Sequence, residues 1–174
     1  MVTLYLLRHA KSDWDHPDLA DHDRPLAKRG TRAAKTMGRR ISALKIRPDL
    51  ILCSTARRAR DTLKGALKAG ALEDVPVTFS DSLYGASASD LIDIVRKEGH
   101  GLSSVLLIGH NPGFQDCALA LSGSGDAALL DRLDYKLPTG SLVGIEFTDH
   151  DFATIGPARG RLTLFERPAD QASS

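Results

Sequence analysis

The sequence predicts an α/β fold, a three-layer α/β/α sandwich with a mostly parallel central sheet of about six strands. Two observations lead to this prediction. Short apolar runs that are typical of buried strands alternate along the chain with segments of helical periodicity. Near the C-terminus, two strand-like segments follow each other without a helix between them. We therefore expect this last pair of strands to be antiparallel.

Each predicted strand is a short run of mainly apolar residues. The six runs lie at residues 2–7, 50–53, 75–79, 105–108, 141–147 and 161–166. The first and fourth runs, VTLYLL and VLLI, are apolar almost throughout, which is expected of strands that are covered on both faces. The connection between the last two runs is rich in turn-forming residues and is too short for a helical crossover.

Four helices are predicted between these strands, because apolar residues recur there every three or four positions. Glycine, proline and serine mark where these helices begin and end. The expected boundaries are Gly30 and Arg47 for the first helix, Gly70 for the end of the second, Ser87 or Ser89 and Gly99 for the third, and Gly113 for the start of the fourth.

Composition excludes several classes of protein. The 174 residues are 42% hydrophobic and 26% charged, which fits one globular domain over residues 1–168 and a disordered tail over residues 169–174. The net charge of +1 argues against a nucleic-acid or membrane binder. No apolar run is long enough to span a membrane, and the start lacks the pattern of a secretory signal. Because the two cysteines cannot build a disulfide framework, we expect a cytoplasmic protein.

The two halves of the chain differ in charge. Residues 1–87 contain 16 Lys/Arg and 10 Asp/Glu, whereas residues 88–174 contain 7 and 12. A basic half fits an anion-binding site, and it also fits helices with a solvated basic face. Charge alone favours the solvated face.

Basic and polar side chains follow three of the predicted strands. Arg8 and His9 come after the first strand, Arg58 shortly after the second, and His110 after the fourth. Ligands of such sheets bind beyond the carboxyl ends of the strands, so we expect these side chains at one edge. Guanidinium groups pair with phosphate oxygens, and a neutral imidazole can attack phosphorus directly. The pattern predicts a phosphoryl site that works without a metal or another cofactor.

The same residues lie in three motifs that resemble those of the histidine phosphatase superfamily, which also contains the phosphoglycerate mutases. The sequence LRHA at residues 7–10 is similar to the family's RHG signature. The sequence STARRARDT at residues 54–62 resembles its S-x-x-x-R-A-x-Q-T stretch, and IGHNPG at residues 108–113 resembles its second-histidine segment. The motifs occur in the family's order. The resemblance implies a phosphoglycerate mutase-like fold from residue 2 to about residue 167.

The resemblance also implies roles for individual residues. His9 would be the nucleophile, and Arg8, Arg58 and His110 would form the phosphate pocket. Arg24 matches a loop position near the family's site and is a candidate for substrate binding. Arg57 is expected to be an exposed neighbour.

The general acids of two familiar branches are missing. The mutase branch has a glutamate after the third strand, where this chain has FSDSLYG at residues 79–85, and the phytase-like branch has an aspartate where this chain has Asn111. An imidazole leaves phosphorus more readily than an alkoxide and needs less help from an acid. The short chain therefore resembles the SixA-type phosphohistidine phosphatases. Five aspartates are left as candidates for a substitute acid, namely Asp13, Asp15, Asp21, Asp23 and Asp81.

The function expected from this resemblance is a metal-independent phosphatase that acts on phosphohistidine in proteins, such as a histidine-containing domain of a phosphorelay. A monomer is the default. Three alternatives are left open: a phosphomonoesterase or mutase-like enzyme acting on a small phosphate ester, a non-catalytic phosphoprotein-binding module, and a metallohydrolase centred on residues 13–23. That segment, DWDHPDLADHD, lacks the spacings of known zinc and calcium sites, so we expect a solvated loop, with His16 and His22 at the surface.

Overall fold

The computed structural model describes residues 1–171, which form a seven-stranded sheet in the order β3-β2-β4-β1-β6-β7-β5. The strands are β1 (Val2–Arg8), β2 (Leu50–Ser54), β3 (Val77–Ser80), β4 (Ser104–Gly109), β5 (Ser122–Gly125), β6 (Leu142–Phe147) and β7 (Gly160–Glu166). Strands β1 to β4 pair in parallel, as do β5 and β7, whereas β6 is antiparallel to both β1 and β7. The predicted fold class and the antiparallel last pair are confirmed.

Within residues 1–171, five helices and three short 3-10 turns lie between the strands, and a sixth helix follows β7. The helices are α1 (Lys28–Ala43), α2 (Arg57–Gly70), α3 (Ala88–Glu98), α4 (Gly113–Leu121), α5 (Ala127–Tyr135) and α6 (Pro168–Gln171). The 3-10 turns are Asp21–Asp23, Asp81–Leu83 and Phe152–Thr154. Ser87 caps α3, where it forms a reciprocal capping box with Asp90. Within residues 1–171, no helix combines the length and the apolar character needed to cross a bilayer.

Apolar side chains cover both faces of the sheet, because successive residues of a strand point to opposite sides. Leu7 packs with Met37 and Ile41 of α1, while its neighbour Leu6 belongs to the cluster on the other face, which includes residues of α3 and α4. Both faces of the central strands are therefore dry. Polar side chains can accumulate only where these strands end.

Both cysteines are buried and unpaired within the described residues, Cys53 in β2 and Cys117 in α4. Burial raises the pKa of each thiol to about 12. These thiols are core side chains, and they are neutral at physiological pH.

Two elements, β5 and α5, were not predicted from the sequence, and a third, β3, begins later than expected. Strand β5 has the sequence SGSG, which contains no apolar residue, and helix α5 is only nine residues long. Strand β3 begins at Val77 rather than at residue 75, because Pro76 has no N–H to donate to the neighbouring strand. The sheet consequently has seven strands in the described residues instead of about six.

The predicted tail over residues 169–174 needs correcting at its first three residues. Residues 169–171 belong to α6, and Asp170 forms ion pairs with Arg132 at 2.9 Å and with Arg167 at 2.6 Å. The rest of the predicted tail, residues 172–174, lies outside the described residues.

Candidate active site

The two histidines of the predicted site meet at the carboxyl ends of β1 and β4. These strands are parallel neighbours, and Arg8 is in register with Gly109, so the next residue of each strand end lies at the same level. The ring centroids of His9 and His110 are 5.2 Å apart, and both residues are more than nine-tenths buried. The strand register therefore brings together two side chains that are 101 positions apart in the sequence.

His9 is held in one tautomer. Its Nδ1 lies 2.7 Å from the carbonyl oxygen of Ala10, which can only accept a hydrogen bond, so Nδ1 carries the proton. The pKa of His9 is lowered to about 3, mainly by burial and further by the positive charges of Arg58 and Arg8, although the hydrogen bond to Ala10 acts in the opposite direction. At neutral pH the ring is uncharged, and the lone pair on Nε2 is available as a nucleophile.

His110 is anchored from the neighbouring strand β2. Its Nε2 lies 2.8 Å from the hydroxyl of Ser54, and the oxygen of that hydroxyl accepts a hydrogen bond from the backbone N–H of Ala56. Burial, followed by the charge of Arg58, lowers the pKa of His110 to about 4, so this ring is also neutral at pH 7. When Ser54 donates to Nε2, the ring carries its proton on Nδ1. That atom is buried and has no hydrogen-bond partner within residues 1–171.

Arg58 and Arg57 are neighbours with different surroundings. Arg58 lies in the first turn of α2 and is 7% exposed, and its Nη1 and Nη2 donate to the carbonyl oxygen and to Oδ2 of Asp21, at 2.7 and 3.0 Å. A guanidinium has five N–H groups, so these two hydrogen bonds do not use the full donor capacity of Arg58. The side chain of Arg57 is half exposed and lies 3.6 Å from Asp61, as expected for a surface residue.

Arg8 points along the edge of the sheet toward the segment that precedes β6. Its Nη1 donates to the carbonyl of Leu137 at 2.8 Å, whereas its Nε is buried without a partner in the described residues. Burial lowers the pKa of Arg8 below its usual value, but a guanidinium stays charged at any working pH.

Arg24 is drawn into the same network from the loop after β1. It is 8% exposed, and its guanidinium lies 3.5 Å from the centre of the Trp14 ring. Its Nη2 pairs with Asp21, but Nε and Nη1 are buried and have no hydrogen-bond partner within residues 1–171. Trp14 stacks on this guanidinium while remaining 69% exposed.

Asp21 connects the two arginines, a role that the sequence did not single out. Its carboxylate pairs with Arg24 and Arg58 and accepts a hydrogen bond of 2.5 Å from the hydroxyl of Tyr84. The hydrogen bond from Tyr84, together with the charges of Arg58 and Arg24, lowers the pKa of Asp21. Asp21 is therefore ionised at neutral pH and is poorly suited to donate a proton.

Tyr84 is a second site residue that sequence reasoning missed. It lies just after the 3-10 turn that follows β3, in the stretch where the mutase-like pattern would have a glutamate. Its ring meets His110 edge-on at a centroid distance of 5.4 Å, and the bond to Asp21 raises its pKa. The only available signal was its position in that stretch, because a tyrosine there has no fixed chemical meaning.

Other members of the acidic segment turn toward the protein or toward each other. His22, expected at the surface, is partly buried, with its Nε2 3.0 Å from the hydroxyl of Thr55, which in turn donates to Asp81 at 2.5 Å. Asp13 accepts a hydrogen bond from the backbone of Asp15. In the part of the chain that the structure describes, no group of three or more His, Cys, Asp or Glu side chains could hold a metal ion.

Comparisons with known proteins give consistent results. The sequence model of the histidine phosphatase superfamily (branch 1) matches residues 4–90. An uncharacterized protein of Mycobacterium tuberculosis is 38% identical, and the match covers 93% of this chain and 99% of that protein.

Two solved structures are also similar over nearly their whole length. A candidate phosphohistidine phosphatase SixA from Agrobacterium tumefaciens has a TM-score of 0.81 and 30% identity, with 96% of this chain and 98% of the other covered. Another from Nakamurella multipartitia has a TM-score of 0.77 and 29% identity, with 96% of each chain covered.

Proposed function

Since the chain belongs to the histidine phosphatase superfamily, we propose that it is a metal-independent phosphatase that removes phosphate from phosphohistidine in proteins. The comparisons support a phosphatase, and the likeness to two SixA structures favours phosphohistidine as the substrate. One observation at the site supports the proposal most directly. Four buried nitrogen atoms of Arg8, Arg24 and His110 have no hydrogen-bond partner within residues 1–171. Unsatisfied buried donors are costly, and the oxygens of a phosphoryl group would satisfy them.

In the proposed first step, Nε2 of His9 attacks the phosphorus of the substrate's phosphohistidine. The new N–P bond forms as the bond to the substrate's ring nitrogen breaks, and the electron pair of that bond returns to the leaving nitrogen. A substrate ring that is protonated on its other nitrogen leaves as neutral imidazole. Arg8, Arg58 and the Nδ1–H of His110 stabilise the charge on the transferred group.

In the second step, water attacks the phosphorus of phospho-His9. The N–P bond breaks, its electron pair returns to Nε2, and both water protons leave with the phosphate as dihydrogen phosphate. The ring of His9 keeps its proton on Nδ1 throughout, because the carbonyl of Ala10 continues to accept that hydrogen bond. The site is then ready for another cycle.

The lowered pKa of Asp21, the carboxylate that pairs with Arg58, favours phosphohistidine over an alkyl phosphate as the substrate. An alkoxide needs a proton as it leaves, and Asp21, the carboxylate that contacts Arg58 and Tyr84, has a lowered pKa. A phosphohistidine ring that is already protonated on its other nitrogen leaves as neutral imidazole without this help. We further propose a cytoplasmic, monomeric enzyme, consistent with two cysteines that are buried and unpaired.

Trapping of the covalent intermediate tests this proposal. The protein is mixed with a peptide that carries ³²P-phosphohistidine and is quenched in alkali, where phosphohistidine survives. We expect label on the wild type and none on His9→Ala. Label of the same stability on His9→Ala would contradict the assignment of the nucleophile.

Substrate comparison separates the alternatives. A phosphohistidine peptide should be hydrolysed faster than p-nitrophenyl phosphate or a sugar phosphate, and EDTA should not affect the rate. Faster turnover of the alkyl ester would indicate a small-molecule phosphomonoesterase, and binding without release of phosphate would indicate a binding module. Loss of activity in EDTA that zinc or manganese restores would indicate a metallohydrolase.

A further inference from the structure

A second cationic cavity lies beside the candidate active site. It has a volume of about 480 Å³, within the range of about 300–1,000 Å³ that is common for ligand pockets. Four basic side chains line it, from the loop after β1, from α1, from the residue after α5 and from the residue after β7. They are Lys11, Arg29, Lys136 and Arg167, and none of the lining residues is acidic.

Most of this charge is not neutralised by the protein. Arg167 is paired with Asp170, which also binds Arg132. Lys11, Arg29 and Lys136 form neither an ion pair nor a side-chain hydrogen bond with any residue that the structure describes. Like charges around one concave surface repel each other, and low-dielectric walls strengthen their field. An anion in the cavity would remove this repulsion.

The backbone couples the cavity to the nucleophile. Pro138 and Thr139, which line the cavity, lie between Leu137, whose carbonyl accepts from Arg8, and Gly140, whose N–H donates to the carbonyl of His9 at 2.9 Å. Lys11 is two residues after His9. One short loop therefore has the phosphate-binding arginine on one side and the cationic cavity on the other.

The cavity continues into a neighbouring groove of about 300 Å³, with which it shares Lys136, Pro138 and Arg167. Tyr135, 89% exposed, also lines this groove. A single small anion would fill only a fraction of the cavity and the groove together. An extended peptide with several carboxylates matches the combined volume, the positive charge and the exposed aromatic side chain of the cavity and the groove.

We propose that this cavity binds acidic side chains of the protein substrate, close in sequence to its phosphohistidine. This inference rests on the proposed function, since it assigns a binding site to the segment that flanks the phosphohistidine. The enzyme would then select phosphohistidine that is followed or preceded by aspartate and glutamate. A small phosphate ester would not reach the cavity.

Two peptides of equal length test the inference. One has four aspartates next to the phosphohistidine, and the other has four asparagines. We expect wild-type kcat/KM to be about ten-fold higher for the acidic peptide at low salt, through a lower KM. In the double variant Lys11→Ser/Lys136→Ser, the ratio of kcat/KM between the two peptides should fall about five-fold. The control Lys64→Ser/Lys68→Ser removes the same charge from the exposed face of α2 and should keep the wild-type ratio. Activity on p-nitrophenyl phosphate should be the same in all three proteins.

Other outcomes would overturn the inference. One is an equal kcat/KM for both peptides. The other is an equal loss of preference in both double variants, which would mean that the charges act only at long range.

Anisotropy of the dye-labelled, unphosphorylated peptides gives a second measurement that needs no turnover. If tripolyphosphate or a single-stranded oligonucleotide binds with dependence on Lys11 and Lys136 and the aspartate peptide does not, the cavity has another ligand. If p-nitrophenyl phosphate is hydrolysed but neither phosphohistidine peptide is, the proposed function fails, and the anisotropy result still decides on the cavity.

Discussion

The strand-end pocket (Arg8, His9, Ser54, Arg58 and His110) and the loop segment (residues 11–26) contribute to one site in different ways. Pocket residues sit at or just beyond strand ends, or in the first turn of α2, and the sheet register fixes their positions. The loop segment is closed at its base by the Ser12–Leu26 bridge, and most of residues 13–23 are exposed. It reaches the pocket through the side chains of Asp21 and Arg24. The pocket therefore depends on backbone geometry, whereas the loop segment depends on a few ion pairs, and substitutions in the pocket should have the larger effects.

Removal of the nucleophile should have the largest effect. His9→Asn keeps a polar side chain of similar size but cannot attack phosphorus, so we expect kcat on a phosphohistidine peptide to fall by about 10⁴-fold or more. The control His16→Asn, in the exposed part of the loop segment, should leave kcat unchanged. Stopped-flow release of phosphate measures both. Residual activity of His9→Asn above 1% would mean that another group is the nucleophile.

The next largest effect is expected for Arg58→Met, with Arg57→Met as its matched control. Arg58 is buried beside the two histidines, so its loss should lower kcat/KM by about 10²–10³-fold. Arg57 is exposed, and its loss should change kcat/KM by about two-fold or less. Similar losses in both variants would mean that the two arginines share a diffuse electrostatic role.

Stability at low pH should depend on the pocket. Because the folded-state pKa of His9 is about 3, whereas histidine in an unfolded chain titrates near 6.5, the unfolded chain takes up a proton that the folded protein excludes. The stabilisation is present above pH 6.5 and is lost progressively as the pH falls toward 3. Between pH 7.5 and pH 5, the free energy of unfolding should fall by about 2 kcal/mol more in the wild type than in His9→Asn. Urea unfolding at both pH values measures this, and equal acid sensitivity would contradict a buried neutral His9.

Arg24→Met tests whether the loop segment touches the substrate. Two of its guanidinium nitrogens are buried without partners in the described residues, so we expect KM for phosphohistidine peptide to rise about ten-fold with a smaller change in kcat. Arg32→Met, on the exposed side of α1, serves as the control. An unchanged KM in Arg24→Met would restrict substrate binding to the strand-end pocket.

Asp21→Asn should have the smallest effect on activity. This variant shows whether Asp21 positions the two arginines or competes with the substrate for them. If Asp21 positions Arg58 and Arg24, loss of its charge should lower kcat about three-fold, and the control Asp23→Asn should not. If the carboxylate instead competes with the phosphoryl group for these arginines, Asp21→Asn would lower the inhibition constant of inorganic phosphate. Steady-state kinetics with phosphate as inhibitor distinguishes the two roles.

Several features of the strand-end pocket could be predicted from the sequence because each lies in a local pattern. The run VTLYLL followed by Arg8 and His9 specifies a buried strand with polar residues at its end, and the segment before His110 repeats that pattern. Strand alternation and the rule that ligands bind at carboxyl ends then place these residues at one edge. In contrast, β5 has no apolar signal and is a strand because β7 offers it hydrogen bonds.

The roles of Asp21, Tyr84 and the cationic cavity were decided only by the tertiary structure. Asp21 is one of five aspartates in eleven residues, and nothing in that segment distinguishes it from Asp23. The two differ because Asp21 accepts a hydrogen bond from Arg58, which lies 37 positions later in the sequence, whereas Asp23 does not. The basic excess of the first half was visible in the sequence, but which charges are paired and which converge depends on side chains brought together from distant elements. Sequence patterns record local periodicity and strand ends, whereas ion pairs and cavities between distant segments exist only once the chain has folded.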